Sequence, residues 1–191
     1  MKRLPSAVHW AHHCAAEILC PGDHAIDATM GNGHDTLFLA QQVGPSGRVD
    51  AFDVQATAVE QTRQRLIEHG VADSCHLHHI GHEHMAEVIP PDSAGKVKVI
   101  LFNLGYLPGA DKSLFTSTQT TLTAIRQALE LLAPGGRIIV VTYPGHAGGD
   151  EEADEVKALL SPLSETFGQV QHMRTLSTHG RPPEYWAVAK R

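Results

Sequence analysis

Residues 27–36 read DATMGNGHDT, between a short apolar approach at 24–26 and an amphipathic run at 37–40. This order predicts a strand, a glycine turn and a helix. A second apolar segment, 49–53, ends in Asp53 and predicts the next strand. A glycine turn lets the backbone approach a ligand closely, and an acid at the end of the following strand can accept hydrogen bonds from a ribose diol. Together these signals predict a nucleoside-cofactor pocket at the carboxyl ends of parallel strands.

The glycine turn also discriminates between cofactors. A dinucleotide fingerprint requires G-x-G-x-x-G, and this chain has Gly31 and Gly33 but Thr36 at the third position. Asp27 heads the loop, which is typical of enzymes that bind S-adenosylmethionine, whose ammonium and sulfonium replace the phosphates of a dinucleotide. The pattern therefore favours S-adenosylmethionine over NAD. A turn that serves only to reverse the chain is the remaining alternative, and it leaves the nearby carboxylates unexplained.

Composition narrows the function classes. The chain has 191 residues, 42% of them hydrophobic, and we expect one domain over 1–191. No apolar run reaches the roughly 20 residues that span a bilayer, and residues 1–5 lack a signal-peptide core. Three cysteines without a C-x-x-C pair suit a reducing compartment, so we expect a cytoplasmic protein. The net charge of −6 argues against broad nucleic-acid binding but permits a local RNA footprint.

Strands and helices alternate along the chain, which predicts a mostly parallel sheet with helices on both faces. Ser6 is the expected cap of the first helix, and the N-terminal segment 1–22 is expected to pack near the cofactor site. We predict helices at 6–19, 34–43, 55–69, 117–132 and 150–163. We predict strands at 24–28, 48–53, 75–80, 96–102 and 137–142, followed by a closing antiparallel pair at 168–177 and 184–190.

Ligands of open parallel sheets bind beyond the carboxyl ends of the strands, so the residues that follow each strand are the candidates. The fourth predicted strand leads into Asn103, with Tyr106 three residues later. This spacing resembles the Asn-Pro-Pro-Tyr loop of amino-group methyltransferases, in which carbonyl oxygens accept the N–H bonds of the amine, although Leu104 and Gly105 replace the prolines. Methyl transfer is an in-line displacement that depends mainly on alignment. An aromatic ring such as Tyr106 can stack on a base.

Four motifs in order extend this resemblance over nearly the whole chain. They are residues 27–36, residues 103–109 (NLGYLPG), residues 143–149 (YPGHAGG) and residues 181–183 (RPP). On these motifs the chain resembles the MnmM (YtqB-like) methyltransferases, an older name for which is rRNA methylase. The resemblance implies a Rossmann-like class I fold with a seven-stranded, mostly parallel sheet. It also implies methyl transfer from S-adenosylmethionine to the aminomethyl group of 5-aminomethyl-(2-thio)uridine at the tRNA wobble position.

The resemblance also implies roles for individual residues. For acceptor orientation and catalysis we expect Asn103, Tyr106 and His146, the last as a candidate proton acceptor. For the anticodon stem-loop we expect Leu104, Tyr106, Tyr143, His146 and Arg181. For the cofactor we expect Asp27, Gly31, Asn32, Gly33, Asp35, Thr36, Asp53, Gln55, Gly81, His82 and Asn103.

Two other signals receive simpler explanations. The chain has fourteen histidines, but no recognised zinc-ligand spacing accompanies them, so we expect no metal. The acidic run that begins at Asp150 complements the N-terminal end of a helix dipole.

Several alternatives remain open at this stage. The loop at Asn103 also fits a methyltransferase that acts on an rRNA adenine or on a small-molecule amine. An RNA-binding module without turnover and a dehydrogenase are further possibilities. The oligomeric state is not fixed by the sequence, and a homodimer is left open.

Overall fold

The computed structural model describes residues 4–105, 117–145, 148–176 and 180–191. The helices are α1 (Ala7–Ala16), α2 (His34–Val43), α3 (Ala56–Glu68), α4 (Met85–Val88), α5 (Thr118–Leu131), α6 (Gly149–Leu160) and α7 (Leu163–Thr166). The strands are β1 (His24–Asp27), β2 (Arg48–Asp53), β3 (Cys75–His79), β4 (Val97–Leu104), β5 (Leu132–Thr142), β6 (Gly168–Arg174) and β7 (Glu184–Lys190).

All seven strands form one sheet in the order β3-β2-β1-β4-β5-β7-β6. The first five strands are parallel, and β7 runs antiparallel to both β5 and β6. This confirms the expected Rossmann-like class I architecture with a closing antiparallel strand. The chain reverses its strand order between β3 and β4, so the ends of β1 and β4 lie side by side, where an open sheet binds its ligands.

Two apolar clusters cover the two faces of the sheet. One contains Ile26, Phe52 and Phe102 and packs against α5 and α6. The other contains Val49 and Leu101 and packs against α1 and α2. Because side chains alternate along a strand, Asn103 lies two residues beyond Leu101 on the α1–α2 face. Every residue from Val97 to Leu104 on that strand is buried or half-buried, so the sheet holds the end of β4 rigidly.

Most predicted boundaries agree with the structure to within a residue or two, and the larger differences have local causes. Helix α1 has the predicted Ser6 cap, whose Oγ accepts a hydrogen bond from the His9 amide, but it ends at Ala16 instead of residue 19, ahead of Pro21. Helix α6 ends at Leu160 because Pro162 has no amide hydrogen to continue it. Strand β6 ends at Arg174 rather than 177.

Strands β4 and β5 are both longer than predicted. Strand β4 continues to Leu104, which pairs with Thr142, so Asn103 belongs to the strand and not to the loop after it. Strand β5 begins at Leu132, although its regular register starts only at Arg137. Residues 133–136 therefore form an irregularity within β5, opposite the register shift in β4, and Gly135 takes a positive φ of 70° there.

Two of the histidines form hydrogen bonds with a buried carboxylate in β2. Asp50 in β2 is fully buried and accepts hydrogen bonds from His24 Nε2 and His78 Nε2, both at 2.7 Å. Arg48 adds two more, from Nε at 2.6 Å and Nη2 at 2.8 Å. Burial alone would raise the pKa of Asp50, but the hydrogen bonds from His24, His78 and Arg48 outweigh it and hold the pKa well below its ordinary value. These residues stabilise the β1–β2–β3 edge.

None of the helices in the described ranges combines the length and the apolar character that a bilayer crossing requires.

We expect Asp50→Asn to lower the free energy of unfolding at pH 5 by about 3 kcal/mol, because the three donors lose the carboxylate they share. The depressed pKa of folded Asp50 adds a pH dependence. Its stabilisation is complete above the unfolded value of about 3.9 and is lost as the pH falls below it. The difference in free energy of unfolding between the wild type and the variant, measured by urea unfolding, should therefore be smaller at pH 3 than at pH 5.

Asp73→Asn is the matched control, since Asp73 is exposed just before β3 and should change stability by no more than about 0.5 kcal/mol. An equal difference in free energy of unfolding at both pH values would contradict the depressed pKa of Asp50.

Candidate active site

The glycine loop after β1 packs tightly against α3. Gly31 and Gly33 have positive φ angles of 48° and 76°, which L side chains rarely adopt. A Cβ on Gly33 would lie 2.7 Å from Thr62 Oγ1, so a larger residue has no space there. Thr62 Oγ1 donates to the Gly31 carbonyl at 3.0 Å, and Arg65 Nε donates to the Asn32 carbonyl at 2.7 Å. These contacts from α3 hold the glycine loop in one conformation.

Asp53 at the end of β2 joins this loop to the next one. Its Oδ2 accepts a hydrogen bond from the Gly31 amide at 3.0 Å, and its Oδ1 accepts one from the Gln55 amide at 2.8 Å. The structure therefore brings Gly31, Asp53 and Gln55 together. Each oxygen of Asp53 has a second lone pair, so the carboxylate retains capacity for a ligand.

Asp27, by contrast, turns inward. It is fully buried, its Oδ2 accepts a hydrogen bond from Thr36 Oγ1 at 2.6 Å, and its Oδ1 accepts one from the Thr29 amide at 3.1 Å. Burial, and after it the negative charge of Asp35, raises the pKa of Asp27 to about 7. The hydrogen bond between Asp27 and Thr36 therefore joins the two ends of the glycine loop and stabilises it.

His82 lies on the other side of the β1 end. It follows Gly81, is buried, and its Nδ1 donates to the Ala28 carbonyl at 3.1 Å. Its ring meets Phe102 edge to face, with centroids 5.9 Å apart. Burial lowers the pKa of His82, so the ring is neutral at physiological pH and ties the third strand's loop to the first.

The Asn103 amide is held in one orientation by two side chains. Its Nδ2 donates to Asp35 Oδ2 at 2.9 Å, and its Oδ1 accepts from the Tyr143 hydroxyl at 2.8 Å. Its backbone amide also donates to Thr29 Oγ1 at 2.8 Å, which connects it to the loop after β1. Asp35, Asn103 and Tyr143 come from α2, β4 and the residue after β5, so the structure joins three of the predicted site segments in one network.

Tyr143 is a neutral hydroxyl donor in this network. Burial, and secondarily the charge of Asp35, raises its pKa. Its ring lies against Gly105, where a Cβ would be 3.1 Å from Tyr143 Cδ2. Glycine at 105 therefore permits the ring to approach the end of β4. Leu104, between Asn103 and Gly105, has a fully buried side chain in the core, so only its backbone can meet a substrate.

His12 completes the network and was not expected from the sequence. Its Nε2 lies 2.6 Å from Asp35 Oδ1, and its ring stacks on Phe38 with centroids 4.0 Å apart and planes 1° from parallel. The one available signal was the position of His12 in α1. Buried Ala11 and Ala15 mark the inward face of this helix, and His12 is the residue next to Ala11. In the sequence analysis, His12 was one of the fourteen histidines considered for metal binding.

Arg181 lies at the same end of the sheet, just before β7, within an acidic cluster. Its guanidinium forms ion pairs with Asp150 at 2.7 Å, Asp154 at 3.2 Å and Glu184 at 3.7 Å. Asp150 also accepts a hydrogen bond from the Gly145 amide at 3.1 Å. The acidic run thus does more than complement a helix dipole, because it links Arg181 to the segment after Tyr143.

Two predicted site residues, Tyr106 and His146, lie outside the described residues. Among the residues that are described, no group of three or more His, Cys, Asp or Glu side chains is placed to hold a metal ion.

Comparisons with known proteins identify a family for this chain. A model of the family described as "Putative rRNA methylase" matches residues 49–189. The Arabidopsis thaliana protein "tRNA (mnm(5)s(2)U34)-methyltransferase, chloroplastic" is 40% identical over 166 residues, which are 82% of this chain and 60% of that protein. The chain therefore spans 60% of the length of this relative.

Two solved structures match over nearly the full chain. A "putative rRNA-methylase" from Clostridium thermocellum superimposes with a TM-score of 0.93 and 35% identity, covering 100% of both chains. A methyltransferase-named protein from Streptococcus mutans, in complex with SAH, gives a TM-score of 0.87 and 33% identity, covering 99% of this chain and 100% of the other.

The pH dependence of Asp27 can be tested without a ligand. Because its folded pKa of about 7 exceeds the unfolded value of about 3.9, stability falls as the pH rises between these values and stays lost above pH 7. Asp27→Asn remains neutral throughout. Relative to the wild type, we expect this variant to gain on the order of 2 kcal/mol in free energy of unfolding from pH 5 to pH 8. Denaturant titrations at both pH values measure the change, and parallel curves for the two chains would contradict the raised pKa.

Proposed function

The chain belongs to the family described as "Putative rRNA methylase", and from that membership we propose that it is a methyltransferase that uses S-adenosylmethionine. The Streptococcus mutans relative is in complex with SAH, the form of this cofactor that has lost its methyl group. The glycine loop and the acid at the end of β2 support the same ligand class here.

The residues present fit this cofactor. Asp53 has lone pairs left for the ribose hydroxyls, and the tightly packed loop at Gly31, Asn32 and Gly33 offers backbone to the amino-acid end. Gln55 and His82, with Gly81, would lie beside the adenosine. The paired carboxylates Asp27 and Asp35 give the pocket a negative potential that suits an ammonium and a sulfonium. The cofactor supplies a methyl group bonded to a positively charged sulfur, which is the leaving group of the reaction.

One observation carries the choice of acceptor: the Asn103 amide is fixed between Asp35 and Tyr143 next to the glycine loop. Its oxygen is an acceptor with a second lone pair, suited to the N–H of a substrate amine. The nearby Asp35 carboxylate attracts the ammonium form of that amine. Such a site orients a nitrogen lone pair for in-line attack, and orientation is a large part of the acceleration for a displacement of this kind.

The substrate we propose is the aminomethyl group of 5-aminomethyl-(2-thio)uridine at the tRNA wobble position, in keeping with the name of the Arabidopsis relative. The anticodon stem-loop would contact Tyr106, Tyr143, His146, Arg181 and the Leu104 backbone. The ion pairs of Arg181 are exposed, and such pairs contribute only about 0–1 kcal/mol, so a phosphate can compete for the guanidinium. His146 would receive the proton that the substrate ammonium loses before attack.

Three further expectations belong to this proposal. Residues 1–191 would act as one methyltransferase domain, with the N-terminal segment beside the cofactor. The protein would work in the cytoplasm, where it meets tRNA. A homodimer is the oligomeric state to test.

A second candidate is methylation of an rRNA adenine, which the family description favours by naming rRNA. A small-molecule amine is the remaining acceptor that the Asn103 site would allow.

We expect the purified protein to add one methyl group to the wobble uridine of tRNA that carries the aminomethyl group, and none to an unmodified transcript, an adenine-containing rRNA fragment or free amines. Incubation with S-adenosylmethionine followed by nucleoside mass spectrometry measures this. Asn103→Ala should bind the tRNA normally and transfer methyl about 100-fold more slowly. Methylation of the unmodified transcript would defeat the proposal, and methylation of the rRNA fragment would support the second candidate.

Cofactor binding is tested separately by Asp53→Ala. Loss of the hydrogen bonds that a charged acceptor receives costs about 1.5–3 kcal/mol, so the Kd for S-adenosylmethionine should rise about 10- to 100-fold in calorimetry. Asp73→Ala, which removes an exposed acid far from the loop, should leave the Kd unchanged. An unaltered Kd for Asp53→Ala would place the ribose elsewhere.

A further inference from the structure

We infer that His12, on the N-terminal helix, is a positioning residue for methyl transfer: through Asp35 it fixes the amide of Asn103. The inference rests on the proposed function, because it assigns His12 to the same site.

The contacts of Asp35 are divided between two donors. Its Oδ1 faces His12 Nε2 at 2.6 Å, and its Oδ2 faces Asn103 Nδ2 at 2.9 Å. The Asp35 side chain is 8% exposed, so water has little access to replace a lost donor. Removing a donor from a buried carboxylate leaves its charge poorly compensated, which is costly, so such a carboxylate would move toward any other donor within reach. His12 therefore holds the carboxylate in the position from which it receives the Asn103 N–H.

The orientation of the Asn103 amide depends on this carboxylate. A flip of the amide would turn its oxygen toward Asp35 Oδ2, placing two acceptors against each other, and would turn its NH₂ toward Tyr143. An immobile Asp35 carboxylate makes the flip unfavourable. The Asn103 oxygen then remains on the Tyr143 side, where the proposed function needs an acceptor for the amine.

The ring of His12 is itself fixed in two ways. It stacks on Phe38 from α2, and its Nε2 contacts Asp35 Oδ1 at 2.6 Å. The side chain is 29% exposed. Neither its stacking nor its exposure requires a nitrogen at Nε2, whereas the short contact to Asp35 does. The N–H at Nε2 and the aromatic ring can therefore be separated by substitution.

Two variants make this separation. His12→Phe keeps a ring on Phe38 and removes the donor, and His12→Gln restores an N–H near Nε2 and removes the ring. In assays with aminomethyl-bearing tRNA we expect His12→Phe to lower kcat about 10- to 100-fold, with the KM values for S-adenosylmethionine and tRNA within about threefold of wild type. His12→Gln should recover to within about threefold of the wild-type kcat. The matched control is His13→Gln, which should equal wild type, because His13 is an exposed neighbour that pairs with Glu17 at 3.6 Å.

A spectroscopic readout keeps the test independent of the acceptor. In ¹H–¹⁵N spectra of the isotope-labelled protein, the Asn103 side-chain NH₂ signal should move by several linewidths in His12→Phe and return toward its wild-type position in His12→Gln. If no acceptor is methylated by the wild type, the proposed function fails while this readout still tests His12. The inference is overturned if His12→Phe leaves the Asn103 signal unchanged, or if a folded His12→Gln is as slow as His12→Phe.

Discussion

The site depends on one buried carboxylate, Asp35, held where α1, α2 and β4 meet. Its hydrogen bonds to His12 and Asn103 connect the N-terminal helix to the end of a central strand. Without a fixed Asp35, the Asn103 amide would have two nearly equivalent orientations, and only one of them presents an oxygen toward Tyr143. The arrangement of the acceptor side of the pocket therefore follows from the placement of this carboxylate.

The Asp35 carboxylate also affects the pKa of the nearby Asp27. Asp27 lies beneath the same loop, and burial together with the charge of Asp35 raises its pKa to about 7. Two adjacent buried carboxyl groups resist simultaneous ionisation, so the pocket carries unfavourable electrostatic energy at neutral pH. A cationic ligand relieves it. This electrostatic cost agrees with the positive charge of the cofactor in the proposed function.

The sequence predicted the sheet and the segments that line the pocket because both depend on local patterns. Alternating apolar segments located the strands, and the residues after them located the site. It did not predict His12, since the contact to Asp35 joins residues from two helices and no periodicity marks it. It also placed Asn103 after the strand, because the pairing of Leu104 with Thr142 is a tertiary contact. The partners of the histidines, such as Asp50, were not visible in the sequence, because these contacts join separate strands.

The number of donors distinguishes Asp50 from Asp35, two buried carboxylates that each contact histidine. Asp50 accepts four hydrogen bonds, from His24, His78 and two nitrogens of Arg48, which is about the full capacity of an ionised carboxylate. It has no lone pair left for a ligand and acts on stability alone. Asp35 receives two hydrogen bonds from the described residues and retains half of that capacity. Because Asp35 lies at the carboxyl end of the sheet, the unused lone pairs would be available to the ammonium of the proposed function. The same pair of residue types thus stabilises the fold at one position and prepares a binding site at the other.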